Sequence, residues 1–96
     1  TMVKWAMTTI KATVATAGTP VQLSTIDNVA RVLDIKADPG NSGIIYIGDS
    51  TVDASAKNGF ALEAGDVWVG EDVNMSSIYV DSTANGDVVA GNYRVA

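Results

Sequence analysis

The chain has 96 residues, enough for one small domain and too few for a second catalytic or cofactor domain. It contains neither Cys nor His, which excludes disulfides, thiol nucleophiles, imidazole bases and the usual zinc sites. A net charge of −5 disfavours nucleic acid and anionic membrane as partners, because both are held by Lys and Arg.

Thirteen Val, seven Ile and nine Thr stand against three Leu, a composition that builds strands. No run approaches the roughly 20 apolar residues of a membrane span, and the opening residues are too polar for a signal-peptide core, so a soluble chain without an export signal is expected. Charge is unevenly placed. Residues 1–36 carry Lys4, Lys11, Arg31 and Lys36 against Asp27 and Asp34, whereas residues 37–96 carry two cations against nine carboxylates.

Residues 1–9, with Met2, Val3, Trp5 and Met7 among polar neighbours, read as an extended N-terminal arm ahead of a domain at residues 10–96. From Ile10 the pattern alternates to Val14 as a half-buried strand, and Gly18-Thr19-Pro20 breaks it. Residues 21–24 form a short second strand beginning after proline. Residues 29–37 are the clearest strand, with Arg31, Leu33, Ile35 and Ala37 on the core side and Ala30, Val32, Asp34 and Lys36 on the other.

Asp38-Pro39-Gly40-Asn41-Ser42-Gly43 is a dense turn signal. The nearly continuous apolar run 44–48 after it reads as a central strand buried on both faces. Residues 49–59 are loop, with Val52 as a plug and Asn58-Gly59 as a turn. Phe60 to Leu62 is short, and in Val67-Trp68-Val69 the aromatic faces away from the valines. Residues 77–81 and 88–95 close the pattern, joined by the hairpin signal Asn85-Gly86-Asp87. The expected fold is all-β: a single small sandwich, jelly-roll-like, or a barrel of about seven or eight short antiparallel strands.

The chemistry-bearing residues are few. Asp49, Asp53, Asp81 and Asp87 occupy turn positions where calcium ligands could gather, but their spacing is not that of an EF-hand, and turn aspartates ordinarily cap their own backbone. Glu63, Asp66, Glu71 and Asp72 could supply the carboxylate pair of a glycosidase, although so small a sandwich has little room for a cleft. Trp5, Trp68, Tyr46, Tyr79 and Tyr93 could form a sugar-stacking platform, whereas burial is the commoner fate of aromatics within apolar strands. No catalytic, metal or cofactor site is expected. Lys4, Trp5, Met7 and Lys11 lie in a stretch free of carboxylates and form the candidate partner-binding set, with Trp5 as anchor.

The residues Asn41-x-Gly43-x-Ile45-Tyr46-Ile47-Gly48, Gly59-x-x-Leu62-x-Ala64-Gly65-Asp66, Ser77-Ile78-Tyr79-Val80 and Gly86-Asp87 resemble small β-sandwich structural proteins of tailed bacteriophages, of the capsid decoration (cement) type. The resemblance covers about residues 10–95; members tend to carry Pro where Ala64 stands, a difference in turn rigidity. It implies a non-enzymatic virion protein on the outer surface of the capsid that binds the major capsid protein and stabilises the shell. It also implies a homo-oligomer, with a trimer favoured. A fibre, neck or tail component and a carbohydrate-binding module are the alternatives.

Overall fold

The computed structural model describes residues 7–95. Runs of β-branched residues, cut at each Gly, Pro or Asx turn, give the strands β1 (Thr8–Val14), β2 (Val21–Gln22), β3 (Val29–Ala37) and β4 (Ile45–Gly48). The second half supplies β5 (Phe60–Leu62), β6 (Val67–Asn74), β7 (Tyr79–Ser82) and β8 (Asp87–Arg94). The one helical element among the described residues is a 3-10 turn at Met75–Ser77, capped by the Asn74 side chain accepting from the Ser76 N–H.

Pairing follows a simple rule: β1 with β8, β2 with β7, β3 with β6 and β4 with β5, all antiparallel. These four pairs are successive segments of one long double-stranded ribbon. Folding the ribbon over brings β8 beside β3 and β7 beside β4, which yields two four-stranded sheets, β1-β8-β3-β6 and β2-β7-β4-β5. The result is a jelly-roll sandwich. Val14, Leu33, Ile35, Val89 and Met75 from the first sheet side meet Ile45, Ile47, Leu62 and Val80 from the second in a single apolar core.

Several expectations are met and several are displaced. The run expected to be central is β4, between β7 and β5, with Ile45, Tyr46 and Ile47 all buried. β1 begins at Thr8 rather than Ile10, since Thr8 and Thr9 are registered against Tyr93 and Asn92. β6 extends five residues past Val69, through Gly70-Glu71-Asp72, where the apolar alternation stops.

The core face of β3 differs from simple alternation. Ala30 is buried, Arg31 is exposed, and Leu33, Ile35 and Ala37 are buried, so the inward side switches parity near Arg31. β6 switches at the same level: Trp68 and Gly70 face in before it, Val73 and Met75 after it. Register is constant on both sides of the switch. Its cause is the left-handed backbone of Asp72 (φ 53°), which rotates the chain by one pleat without adding a residue. Arg31 Nε lies 3.1 Å from Asp72 Oδ1, an exposed pair that marks the kink and contributes little stability by itself.

Strands β8 and β3 approach closely at Gly91, where a Cβ would collide with the Asp34 carbonyl oxygen. Only glycine fits there. We predict that Gly91→Ala destabilises the fold by about 3 kcal/mol, because backbone must move to admit the methyl group. Ala90→Ser, on the exposed side of the same strand, should change stability by less than about 0.5 kcal/mol. Chemical denaturation of the two variants checks the difference.

Candidate functional site

Two carboxylates are buried. Asp81 Oδ atoms accept from the backbone N–H groups of Gly18 (3.0 Å), Ala54 (2.8 Å) and Ser82 (2.8 Å). Asp87 accepts from the N–H groups of Ser42 (3.1 Å) and Gly43 (3.0 Å) and from the Ser82 hydroxyl (2.6 Å). Asp81, Ser82 and Asp87 therefore form one connected cluster holding three separate turns to the β7–β8 corner. Each acid already accepts three hydrogen bonds within the fold, which occupy both of its oxygens. No group of three or more His, Cys, Asp or Glu residues that could hold a metal ion occurs among the described residues.

Asp81 also fixes a cover over the second sheet. Tyr46 points away from the core, yet it is only 7% exposed because Val52 and Ala54 pack on it, with Ile44 and Tyr79 alongside. The loop 49–59 thus lies across the outer face of β4 and β7, with Val52 as the plug expected from sequence. Asp49 and Asp53 brace it. Asp49 accepts from the Thr51 hydroxyl and N–H, and Asp53 from the Ser55 hydroxyl and N–H. The Thr51 hydroxyl bond holds the Asp49 pKa below the usual carboxylate value, and the Ser55 hydroxyl bond does the same for Asp53.

The aromatic platform does not assemble among the described residues. Trp68 is half-buried against the core with its indole across Gly70, Tyr46 and Tyr79 lie under the loop, and Tyr93 packs on the core. The acids Glu63, Asp66, Glu71 and Asp72 are spread along the β5–β6 turn and the exposed side of β6. Asp66 accepts from the Glu63 N–H and Asp72 pairs with Arg31, leaving no two of them aimed into a shared cleft.

Among the described residues, none packs over the outer face of the first sheet. Register places Lys11 of β1, Ala90 of β8 and Lys36 of β3 in one row, and Thr9, Asn92 and Asp34 in the next. Small Ala90 and Gly91 between longer neighbours leave a shallow depression of about 780 Å³, flanked by the two lysines and by Val67. A second, smaller recess of about 260 Å³ opens between the sheets beside Ile47, Trp68 and Ile78. Of the four residues expected to bind a partner, Lys11 lies on this outer face and Met7, the residue before β1, is 50% exposed. Lys4 and Trp5 lie outside the described residues. Lys36 and Asp34 were legible as outward-facing from alternation. Their juxtaposition with Lys11 required knowing that β8 inserts between β1 and β3.

Comparison of the chain with protein-family models, with curated proteins and with solved structures finds no match in any of the three.

Two outcomes follow from the carboxylates. Asp81→Ala should cost about 3 kcal/mol by leaving the buried Ala54 N–H without an acceptor and untying the Gly18 turn, while thermal melts in millimolar calcium and in chelator superimpose. Asp49 and Asp53 titrate lower in the folded chain than in the unfolded one. Their contribution is therefore present above the unfolded pKa and is lost as pH falls through the folded value. Carboxyl-carbon NMR titration should place both midpoints below 3.8, and loop 49–59 should lose amide protection as pH falls through them.

Proposed function

We propose that the chain is a structural protein of a phage virion, a decoration protein that sits on the outside of the head and stabilises the shell. The reading begins from the resemblance of the strand-and-turn motifs at residues 41–48, 59–66, 77–80 and 86–87 to such proteins. The jelly-roll is compatible with it, being an architecture used in viral shells and also in lectins, so the fold alone does not choose.

The observation that carries the reading is the outer face of the first sheet. It is broad, no described residue packs over it, and it sets Lys11 and Lys36 on either side of Ala90 in a chain whose net charge is −5. A rigid face of this kind suits an acidic, repeated protein surface better than a small substrate. Docking by this face uses Lys11 directly and leaves Lys4, Trp5 and Met7 to extend the contact from the start of β1, with Trp5 as its apolar anchor. On this reading the protein is not an enzyme and needs no cofactor, its partner is the major capsid protein, and it acts as a homo-oligomer. A fibre, neck or tail position in the same virion would use the same surface.

Heads lacking the protein, mixed with purified chain and sedimented, test the proposal. Wild-type chain should co-sediment, and cryo-EM should find density at every equivalent capsomer position. Lys11→Glu with Lys36→Glu should reduce binding by about tenfold or more without lowering the melting temperature, and Trp5→Ala should reduce it separately. Density confined to one vertex, the neck or the tail would replace the decoration role with the alternative. Absence of binding to any part of the particle would end the virion reading.

A further inference from the structure

A jelly-roll has open sheet edges, and the two long ones here are built differently. The Ala37 N–H donates to the Asp66 carbonyl (2.9 Å), and hydrogen-bonded pairs alternate along an antiparallel ladder. Ile35·Trp68 and Leu33·Gly70 are therefore the hydrogen-bonded pairs of β3 and β6. The N–H and C=O groups of Val67, Val69 and Glu71 then project away from β3, toward the free edge. The other side of β3 agrees: the Asp38 N–H donates to Val88, which gives the even-numbered residues of β3 to β8.

The same alternation leaves Thr9, Lys11 and Thr13 with their backbone groups on the free edge of β1. That edge has polar side chains and a central lysine, the usual protection against adding a strand. The β6 edge has Val67 and Val69, 56% and 55% exposed, and no Lys or Pro between Val67 and Glu71. Phe60, 59% exposed, adds an apolar group on the same flank, at the edge of the second sheet.

We infer that β6 is an interface for a second copy of this chain, two β6 strands pairing antiparallel about a two-fold axis at Val69. The pairable stretch is bounded. The turn 63–66 precedes it, and the left-handed backbone at Asp72 inverts the pleat after Glu71, so the alternation of edge-facing groups ends there although β6 stays paired with β3 to Asn74. Val69 is the centre of the five residues that remain, so full-length pairing of identical strands sets Val69 against Val69 and Val67 against Glu71 of the other copy. These are the residues whose backbone groups face the edge.

That register also matches charge. Lys36 is the neighbour of Val67 on β3, and its side chain lies on the same outer face. Glu71 of the second copy arrives on the far side of Val67, two strand spacings or about 10 Å from Lys36 at the backbone, a gap that the two long side chains close. Symmetry makes two such pairs. Shifting the strand by two residues to set Val69 against Glu71 would bring that carboxylate beside Asp34 instead. The first sheet would continue through the contact as eight strands. The contact is two-fold, distinct from the trimer that the sequence resemblance implies, and it does not depend on the virion reading.

Sedimentation velocity of the full chain across a concentration series tests this. The wild-type chain should form a dimer and no larger species. Val69→Lys and Val69→Pro should be monomeric where the wild type is dimeric; the proline removes an N–H that faces away from β3 and leaves the internal ladder intact. Glu71→Lys and Lys36→Glu should each weaken the dimer by about tenfold, and the two together should restore it to within about threefold. The positions are exposed, so circular dichroism melts should match wild type. If the proline variant does not fold, Val69→Lys and the charge exchange carry the test. A wild-type chain that stays monomeric, a trimer or open-ended series, or a double variant as weak as the singles would overturn the inference.

Discussion

The fold depends on two carboxylates taken out of water. Asp81 and Asp87 are linked through Ser82, which gives its N–H to one and its hydroxyl to the other, and they accept four further backbone N–H groups from turns near Gly18, Ser42 and Ala54 that lie far apart in sequence. Burying a carboxylate is costly unless it is hydrogen-bonded, and here each accepts three bonds, some from donors that are themselves buried, such as the Ala54 N–H. Each side of the bargain removes the other's penalty. No buried side-chain nitrogen or oxygen among the described residues lacks a partner, which is consistent with the short turns being held by these acids rather than by apolar bulk. In a chain with three Leu and no disulfide, that is a substantial share of what fixes the loops.

A second device works alongside it. The Asn41 side-chain amide donates to the Val88 carbonyl (2.9 Å) and accepts from the Val88 N–H (2.8 Å), so a side chain takes the place of a strand at the start of β8. The pleat inversion at Arg31 and Asp72 does comparable work at the opposite end of the sheet. By rotating both strands together it lets Ala30, Val73 and Met75 reach the core while Trp68 and Gly70 reach it from the other parity. Without the inversion, one end of the sheet would turn valine and methionine to solvent.

Much of the strand layout was legible because it is local. From Val32 to Ala37 the residues of β3 alternate, and the Pro39-Gly40 turn follows the strand. The apolar run of β4 is too continuous for a strand with one wet face, which placed it centrally. What was illegible is long-range. Gly70, Glu71 and Asp72 are poor strand formers, so the strand reads no further than Val69, and only pairing with β3 overrides that preference. Asp81 read as a loop acid capping its own neighbours. Two of its donors lie 63 and 27 residues away, beyond anything spacing reveals. The lysines illustrate both cases: each was assignable to an outward face, but nothing in sequence places Lys11 and Lys36 across one alanine.

The loop over the second sheet makes the two broad faces of the sandwich unequal. Residues 49–59 occupy one of them, and the loop is closed at its neck by reciprocal backbone bonds between Asp53 and Asn58 (3.0 and 2.9 Å). Its tip, Ser55, Ala56 and Lys57, is exposed, while Val52 and Ala54 are anchored below. A chain break or a guest peptide at the tip would leave that neck tied, so its entropic penalty is set by a loop already closed rather than by the whole domain. The molecule therefore carries its own grafting site on the face opposite Lys11 and Lys36, where foreign sequence could be displayed without crowding the first sheet.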